Sequence, residues 1–296
     1  MSSHGKAIGK APTSLRIKDT GFRLAMLTCL GLSVLLLGLL LYDVVTDGAS
    51  HLDWSFLTSF GSISADKSGA QAAIWGTVAI MLVCAIFIVP VGVATAIYLE
   101  EYADNTRWWN RLIEVNIQNL AAVPSIVYGI LGLAFLVRGP LSLGPVVMAG
   151  GLTLGLLVLP VVIIAAREAI RAVPPSIREG SLALGATQWQ TIRRQVLPAS
   201  IPGVATGVIL ALSRAIGETA PLIVVGAATV IAFNPEGLDS RFTALPIQIF
   251  DWISRPSNSV NDYKPLAAAA ILFLMILLLL MNSVAIWLRN RYEQKW

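Results

Sequence analysis

The chain has 296 residues, of which 56% are hydrophobic and only 13% are charged, and its formal net charge is +4. Soluble domains carry about 25% charged residues, so this composition excludes an ordinary soluble protein or enzyme. Apolar runs recur along the chain and predict a single all-α polytopic membrane domain.

Six apolar segments are each long enough to cross ~30 Å of hydrocarbon as a helix. Residues 1–21, ahead of the first segment, are polar and basic and are predicted to form a cytoplasmic tail. The first apolar run is longer than the apolar region of a signal peptide, so we interpret it as an uncleaved span. The predicted spans are residues 22–45, 71–98, 112–137, 146–166, 201–231 and 265–288, and together they define a transmembrane domain over residues 22–288.

The distribution of basic residues predicts the orientation of the six spans. An even number of spans places both termini on one side, together with the 99–111 and 167–200 loops. That side carries 15 of the lysines and arginines, and the other side carries five. Because basic residues are concentrated on the cytoplasmic side, both termini, including the C-terminal segment 289–296, are predicted to be cytoplasmic.

The two long segments on the other side, about 46–70 and 232–264, are rich in aromatic residues. Such residues either anchor a protein at the membrane interface or form a docking surface for an extracytoplasmic partner, and the sequence leaves both readings open. The aromatic residues concerned are Trp54, Phe56, Phe242, Phe250 and Trp252.

The loop 167–200 is polar and amphipathic and is predicted not to span the membrane. Pro174 and Pro175 break the chain, Ser176 is then placed to cap a short helix, and Gly185 is placed to end it. A second amphipathic stretch, Gln188 to Val196, is predicted to close at Pro198. Such a short helix either serves as a contact for a cytoplasmic partner domain or lies on the membrane surface.

Arg214 and Glu218 lie near the middle of the fifth predicted span and, four residues apart, share a helix face. A charge at bilayer depth normally faces a partner or a water-filled path. The pair is therefore either a buried ion pair that fixes helix packing or part of an anion path, since arginine donates two parallel bonds to an oxyanion. Glu218 would then either restrain Arg214 until substrate arrives or accept a hydrogen bond from a protonated oxyanion, since phosphate carries such a proton at neutral pH and sulfate does not.

The 167–200 loop resembles the EAA loop of ABC-importer permeases. In that family, Glu-Ala-Ala is followed by three residues, Gly, nine residues, Ile, one residue and Leu-Pro. The spacing fits without a gap, with Gly180 and Ser181 in place of the alanines and Gln195 in place of Ile. The resemblance implies a type I ABC-importer permease fold in which this loop forms a coupling helix against an ATPase subunit. The implied coupling residues are Ser176, Arg178, Glu179, Gly180, Ser181, Leu182, Gly185, Leu197 and Pro198.

Further strings resemble the A-type (PstA-like) permease subunit of phosphate-specific ABC importers. They are GTVAI at 76–80, PVGVATAIYLEEYA at 90–103, NLAAVPSIVYGILGLAF at 119–135, SRAIGETAP at 213–221 and FTALPIQIFDW at 242–252. The resemblance implies phosphate import by alternating access, with Arg214, Glu218 and Thr219 lining the path. It also implies a location in the bacterial inner membrane.

The same resemblance implies a set of partners. They are a C-type permease subunit, two ATPase subunits and an extracytoplasmic phosphate-binding protein; no nucleic acid is expected. The sequence contains no P-loop motif, so ATP and magnesium are expected on the partner ATPase and no cofactor is expected in this chain.

Other functions remain open from the residues alone. One is import of another oxyanion, such as sulfate or molybdate, and another is a membrane signalling scaffold that transports nothing. An intramembrane enzyme needs converging catalytic groups within the spans, and the sequence offers none. The two cysteines and two histidines do not have the spacing of a metal site, so neither a catalytic residue nor a metal ligand is predicted.

Overall fold

The computed structural model of the protein describes residues 13–104, 106–228, 230–256 and 262–292. Every regular element in these ranges is helical. The α-helices are α1 (Thr13–Gly48), α2 (Trp54–Thr58), α3 (Gln71–Ile97), α4 (Trp108–Ala121), α5 (Ser125–Leu131), α6 (Val147–Arg171), α7 (Pro175–Ala183), α8 (Gln188–Thr191), α9 (Leu197–Ile216), α10 (Ala220–Val225), α11 (Leu245–Ser254) and α12 (Lys264–Tyr292). Three π-helical turns extend or join them: Tyr98–Tyr102 after α3, Gly132–Val137 after α5 and Ile192–Val196 between α8 and α9.

Within these ranges, five helical segments are long and apolar enough to cross a membrane, and a bent pair makes a sixth if it counts as one span. The five segments are Lys18–His51, Gln71–Tyr102, Val147–Arg171, Gln188–Ile216 and Lys264–Tyr292. The first predicted span is thus part of a longer helix, and residues 13–21 of the predicted tail are helical. Residues 1–12 and 293–296 of the predicted terminal segments lie outside the described residues.

The third predicted span, residues 112–137, is not a single helix. It consists of Trp108–Ala121 and Ser125–Val137, which meet at an angle of 107°. Pro124 has an extended backbone, with ψ 137°, and it has no N–H to continue the helix. The bend is secured by the buried Tyr128, whose hydroxyl donates to the Leu120 carbonyl at 2.8 Å.

The fifth predicted span, residues 201–231, also has different limits. Its helix begins at Gln188, inside the predicted loop, and ends at Ile216. Pro198 does not close the amphipathic stretch because it follows the Ile192–Val196 π-turn within the first turn of α9, where a missing N–H is tolerated. After Gly217, the separate short helix α10 continues the chain.

The core of the bundle is built from α3, α6 and α9, which approach closely through small residues. A Cβ on Gly151 or Gly155 of α6 would lie 2.6 Å or 2.7 Å from Val83 and Phe87 of α3. A Cβ on Gly203 or Gly207 of α9 would lie 2.7 Å or 2.5 Å from the Cβ atoms of Ala169 and Ala165. Within a membrane the hydrophobic effect does not drive helices together, and small residues stabilise the bundle by allowing their backbones to pack closely.

Helix α1 packs mainly along α12, and most of its apolar side chains are exposed. They face the surroundings of the bundle, as lipid-facing residues do. The bundle has two ends, which we call the α7 end, formed by the loop between α6 and α9, and the α11 end, formed by α2, α11 and the segments around them.

Aromatic side chains of the α11 end differ in position. Phe56, Trp252 and Phe242 are fully buried, with the Phe56 and Trp252 ring centroids 6.3 Å apart, so these three are neither interfacial anchors nor a docking surface. Trp54 and Phe250 are exposed, and for them both predicted roles stand.

Asp53 caps the start of α2. Its carboxylate accepts hydrogen bonds from the Phe56 N–H and the Ser55 hydroxyl, and these bonds lower the pKa of the carboxyl group.

The α11 end is joined to the core at the start of α11. The Thr77 hydroxyl accepts a bond from the Leu245 N–H at 2.9 Å and donates to the Ala73 carbonyl. At the preceding residue of α3, a Cβ on Gly76 would lie 2.0 Å from the Thr243 carbonyl oxygen. No side chain fits there without moving the backbone of the 232–244 segment.

We therefore expect Gly76→Ala to destabilise the protein. Overpacking costs about 1–3 kcal/mol, and here it acts on backbone, so the melting temperature in detergent should fall by roughly 5 °C or more. Gly38→Ala on α1 is the matched control, because no atom lies within 4 Å of its added Cβ and alanine favours a helix. Equal melting temperatures for the two variants would contradict the close approach of α3 to Thr243.

Candidate functional site

The depth of Arg214 in the bundle follows from the packing of α9 on α6. These helices are antiparallel, with Gly203 against Ala169 and Gly207 against Ala165. Two further turns along α9 bring it opposite the middle of α6, where Ala211 and Ala215 share a buried cluster with Val158. Arg214, beside Ala215, therefore lies about half-way between the two ends of the bundle.

Glu218 and Thr219 lie in a break between two helices at this depth. Helix α9 ends at Ile216 and α10 begins at Ala220, with Gly217 exposed between them. Helix α10 continues towards the α11 end, because Val225 packs with Leu136, Val146 and Ala149 at the start of α6. Non-helical backbone at membrane depth is tolerated where it is buried in protein or lines a cavity.

The two charged side chains are paired across this break and do not share one helix face as predicted, since the helix ends between them. Arg214 Nε lies 3.6 Å from Glu218 Oε1, which is an ion pair but too long for a hydrogen bond. The Arg214 side chain is 53% exposed and that of Glu218 is 19% exposed. In the described part of the chain, no hydrogen bond engages the Arg214 guanidinium, so its N–H donors are available to a ligand.

Neighbouring elements fix the position of the break. Ser213 donates from Oγ to Asn282 Oδ1 at 3.0 Å, which ties α9 to α12 beside Arg214. On the other side, a Cβ on Gly129 of α5 would lie 2.7 Å from the Cα of Pro221. Thr219 makes no side-chain capping bond at the start of α10, and its side chain is half-buried next to Glu218. The three predicted path residues are thus brought together.

The second candidate site is α7 with its flanking turns. Pro174 is extended and Pro175 occupies the first helical position, so Ser176 lies inside the first turn and is not the cap that the sequence predicts. The helix ends as expected at Gly185, which has a φ of +83°. Gly185 N–H donates to Leu182 and Ala186 N–H donates to Ser181, which is a Schellman motif.

The predicted coupling residues divide into exposed and inward-facing groups. Ser176, Glu179, Gly180 and Leu182 are exposed, and the adjacent Leu184 is 91% exposed. Between α7 and the π-turn lies a groove of about 390 Å³, lined by Ser176, Ile177, Gly180, Ser181, Leu184, Ala186, Gln190, Arg194 and Gln195. Leu182 and Leu184 are both exposed here, and neighbouring exposed apolar side chains on a polar loop fit contact with another chain.

Ser181 and Arg178 face inward. The Ser181 hydroxyl lies 2.8 Å from the hydroxyl of the buried Thr191, which gives the departure from alanine at this position a structural role. Arg178 pairs with Glu101 at 2.8 Å and donates to the carbonyls of Ile170, in the last turn of α6, and of Val173, just after it. Leu197 and Pro198 lie apart from α7, at the start of α9.

Sequence reasoning missed the partners of these arginines. Glu100 and Glu101 stand in the IYLEEYA string, and Glu100 accepts from both Arg167 and Arg171 at 3.0 Å. Arg167 also donates to Glu114 on α4 at 2.6 Å. Two adjacent carboxylates at the end of an apolar span were the available signal, but their partners are more than 50 residues away in sequence.

Comparison with known proteins agrees with this architecture. A family model described as binding-protein-dependent transport system inner membrane component matches residues 88–295. The probable ABC transporter permease protein YqgI of Bacillus subtilis is 30% identical, with 89% of this chain and 92% of the relative covered. The phosphate transport system permease protein PstA of Mycobacterium leprae is 34% identical, with 85% and 83% covered.

Solved structures show the same fold. A permease chain of the MetNI methionine ABC transporter, in an inward-facing conformation, aligns with a TM-score of 0.61 at 17% identity, covering 75% of this chain and 95% of the other. A chain of a bacterial alginate ABC transporter aligns with a TM-score of 0.62 at 16% identity, covering 94% and 98%. The fold is therefore that of type I ABC-importer permeases, as the sequence resemblance implies.

Proposed function

Because this chain belongs to the family of binding-protein-dependent transport system inner membrane components, we propose that it carries inorganic phosphate into the cell as the permease subunit of an ATP-driven importer. Family membership makes it a multi-pass inner membrane protein and a transport subunit, not an enzyme. Such a permease works with an ATPase and a substrate-binding protein. Relatives named as phosphate permeases support the choice of phosphate.

One observation carries the proposal: a half-exposed arginine at a helix break half-way through the bundle. An arginine at that depth cannot face hydrocarbon without a cost of several kcal/mol, roughly 3 or more. It is therefore directed towards a water-filled path or a second protein. In that position the N–H donors of Arg214 are free to bind a ligand, and its nearest charged group among the described residues is the Glu218 carboxylate.

The Arg214–Glu218 pair has the chemistry to select a protonated oxyanion. The guanidinium donates two parallel bonds to phosphate oxygens and stays charged at every physiological pH. Glu218 accepts a bond from the hydroxyl that phosphate carries at neutral pH, and it repels an anion with no such hydrogen. Thr219, beside it, adds a hydroxyl that either donates or accepts.

The exposed side of Arg214 requires a second permease subunit. A complete path needs a wall opposite the α9–α10 break, and a single chain leaves that side open. We assign this wall to a C-type permease subunit, in a pseudo-two-fold heterodimer with this chain. The phosphate-binding protein delivers its anion at the α11 end.

The α7 end is the assigned contact for the ATPases. The excess of basic residues at this end supports a cytoplasmic position for it and for both termini. Two ATPase subunits bind the ATP and magnesium, and they engage one such helix from each permease subunit. Their closure displaces α7 with the spans attached to it, and the path opens alternately to the two sides.

Uptake by the complete complex tests the proposed function. Both permease subunits and the ATPases are reconstituted in liposomes with ATP inside, the binding protein is added outside, and entry of radiolabelled phosphate is measured. We expect uptake that depends on ATP and on the binding protein and that an excess of sulfate or molybdate does not reduce. If sulfate or molybdate entered in preference to phosphate, that oxyanion would be the transported substrate and the assignment of phosphate would be wrong. Absence of ATP-dependent entry of all three would favour a scaffold that transports nothing.

A further inference from the structure

Two adjacent carboxylates stand at the α7 end of α3, in the π-turn Tyr98–Tyr102. Both side chains are largely buried, and the two carboxylates bind different arginines. Glu101 binds residues of the coupling loop, by which we mean the segment that joins α6 to α9, and Glu100 binds residues at the end of α6. The proposed function uses neither carboxylate.

Glu101 attaches the coupling loop to α3 at two points. Its Oε1 accepts from Arg178 Nε at 3.0 Å and from Nη2 at 2.8 Å. Its backbone carbonyl accepts from the side-chain amide of Gln188, the first residue of α8. Since Arg178 also donates to carbonyls at the end of α6, α7 cannot move independently of α3 and α6 while these bonds persist.

Glu100 continues the connection to α4. Arg167 donates from Nε to Glu100 Oε2 at 3.0 Å and from Nη1 to Glu114 Oε1 at 2.6 Å. The Arg167 side chain is only 11% exposed, so it is shielded from competing water. Charge-assisted bonds in such surroundings impose a defined geometry, and removing one partner leaves a poorly solvated charge. We call the chain Arg178–Glu101–Glu100–Arg167–Glu114 the charged linkage.

The charged linkage leads to the proposed phosphate path. Glu114 is on α4, which is joined to α5 through the bend that Tyr128 secures. Helix α5 packs on α10 through Gly129 and Pro221, three residues after Glu218. A displacement of α7 thus has a continuous route of bonded and packed elements to the α9–α10 break.

We propose that Arg167 is a positioning residue that makes α4 move together with α7, so that ATPase-driven displacement of the coupling helix reaches the break at Glu218. This inference rests on the proposed function, in that it requires an ATPase acting on α7. It does not depend on which anion is carried. Losing the link between α6 and α4 should leave ATP hydrolysis active while transport is lost.

Glu114→Gln and Glu168→Gln provide a matched pair of variants. Both remove one carboxylate from the same group of charges, and both side chains have room, at 33% and 61% exposure. Glu114 joins Arg167 to α4, whereas Glu168 pairs with Arg171 on its own helix at 3.2 Å. Arg167→Gln and the charge-conserving Arg167→Lys complete the set.

The first readout is the number of anions transported per ATP hydrolysed by the reconstituted complex. We expect Glu114→Gln and Arg167→Gln to lower this ratio roughly tenfold with ATP hydrolysis near the wild-type rate, and Arg167→Lys to restore part of it. Glu168→Gln should keep the wild-type ratio. Equal ratios for Glu114→Gln and Glu168→Gln would overturn the proposal, as would a parallel loss of hydrolysis and transport in an assembled Glu114→Gln complex.

The second readout is the distance between spin labels on Asn116→Cys of α4 and Ala183→Cys of α7, both exposed positions, in an otherwise cysteine-free complex. In the wild type, ATP binding should leave this distance unchanged because the helices move together. In Glu114→Gln, the distance should change on ATP binding, and no change there would overturn the proposal. Since the measurement involves no anion, it stands even if the wild type imports something other than phosphate.

Discussion

Replacing Arg214 by glutamine is expected to lower phosphate uptake by the complete complex at least a hundredfold. The variant removes two charge-assisted hydrogen bonds to the bound anion, each worth about 1.5–3 kcal/mol. Arg214→Lys retains the charge but not the planar fork, so uptake should still fall about tenfold. Initial rates of radiolabelled phosphate entry into proteoliposomes provide the measurement.

Two controls separate loss of binding from loss of structure. Arg138→Gln makes the same substitution at an exposed position outside the helix break and should transport normally. Removing Arg214 alone also leaves Glu218 without its ion pair, so the double variant Arg214→Gln with Glu218→Gln tests whether that unpaired carboxylate is responsible. If the double variant recovers wild-type uptake, Arg214 is a packing residue and the phosphate site lies elsewhere.

The sequence predicts where apolar helices lie better than where they end. The spans on α3, α6 and α12 follow hydropathy because a helix that crosses a bilayer needs about 20 mostly apolar residues in a row. A proline within an apolar run is compatible with both a continuous helix and a break, as Pro160 inside α6 and Pro124 before α5 show. The outcome depends on whether neighbouring helices satisfy the freed carbonyls, which local sequence does not reveal.

The same limit applies to the candidate sites. Arg214 and Glu218 attract attention in the sequence because charges are rare in an apolar run. Arg167 and Glu100 are ordinary charged residues at span ends, and only the parallel packing of α3 on α6, allowed by Gly151 and Gly155, brings them together. The coupling loop was recognisable by its spacing, but the inward direction of Arg178 depends on Glu101, 77 residues earlier.

Replacing Glu218 by glutamine is expected to reduce the preference for phosphate over sulfate roughly tenfold, the worth of one charge-assisted hydrogen bond. A glutamine amide can donate to sulfate, whereas the carboxylate repels it and accepts the phosphate hydroxyl. The carboxylate therefore discriminates by an attraction to one anion and a repulsion of the other. Phosphate uptake itself should also fall.

The binding protein selects anions before the permease does, so the comparison must isolate this chain. Equilibrium dialysis of radiolabelled phosphate and sulfate against the solubilised permease–ATPase complex, without binding protein, compares the two affinities for wild type and Glu218→Gln. Glu218→Asp retains the acceptor and should preserve the preference better than glutamine does, although its shorter side chain lies farther from Arg214. An unchanged preference in Glu218→Gln would restrict Glu218 to orienting Arg214 across 3.6 Å, and selectivity would then belong to the binding protein alone.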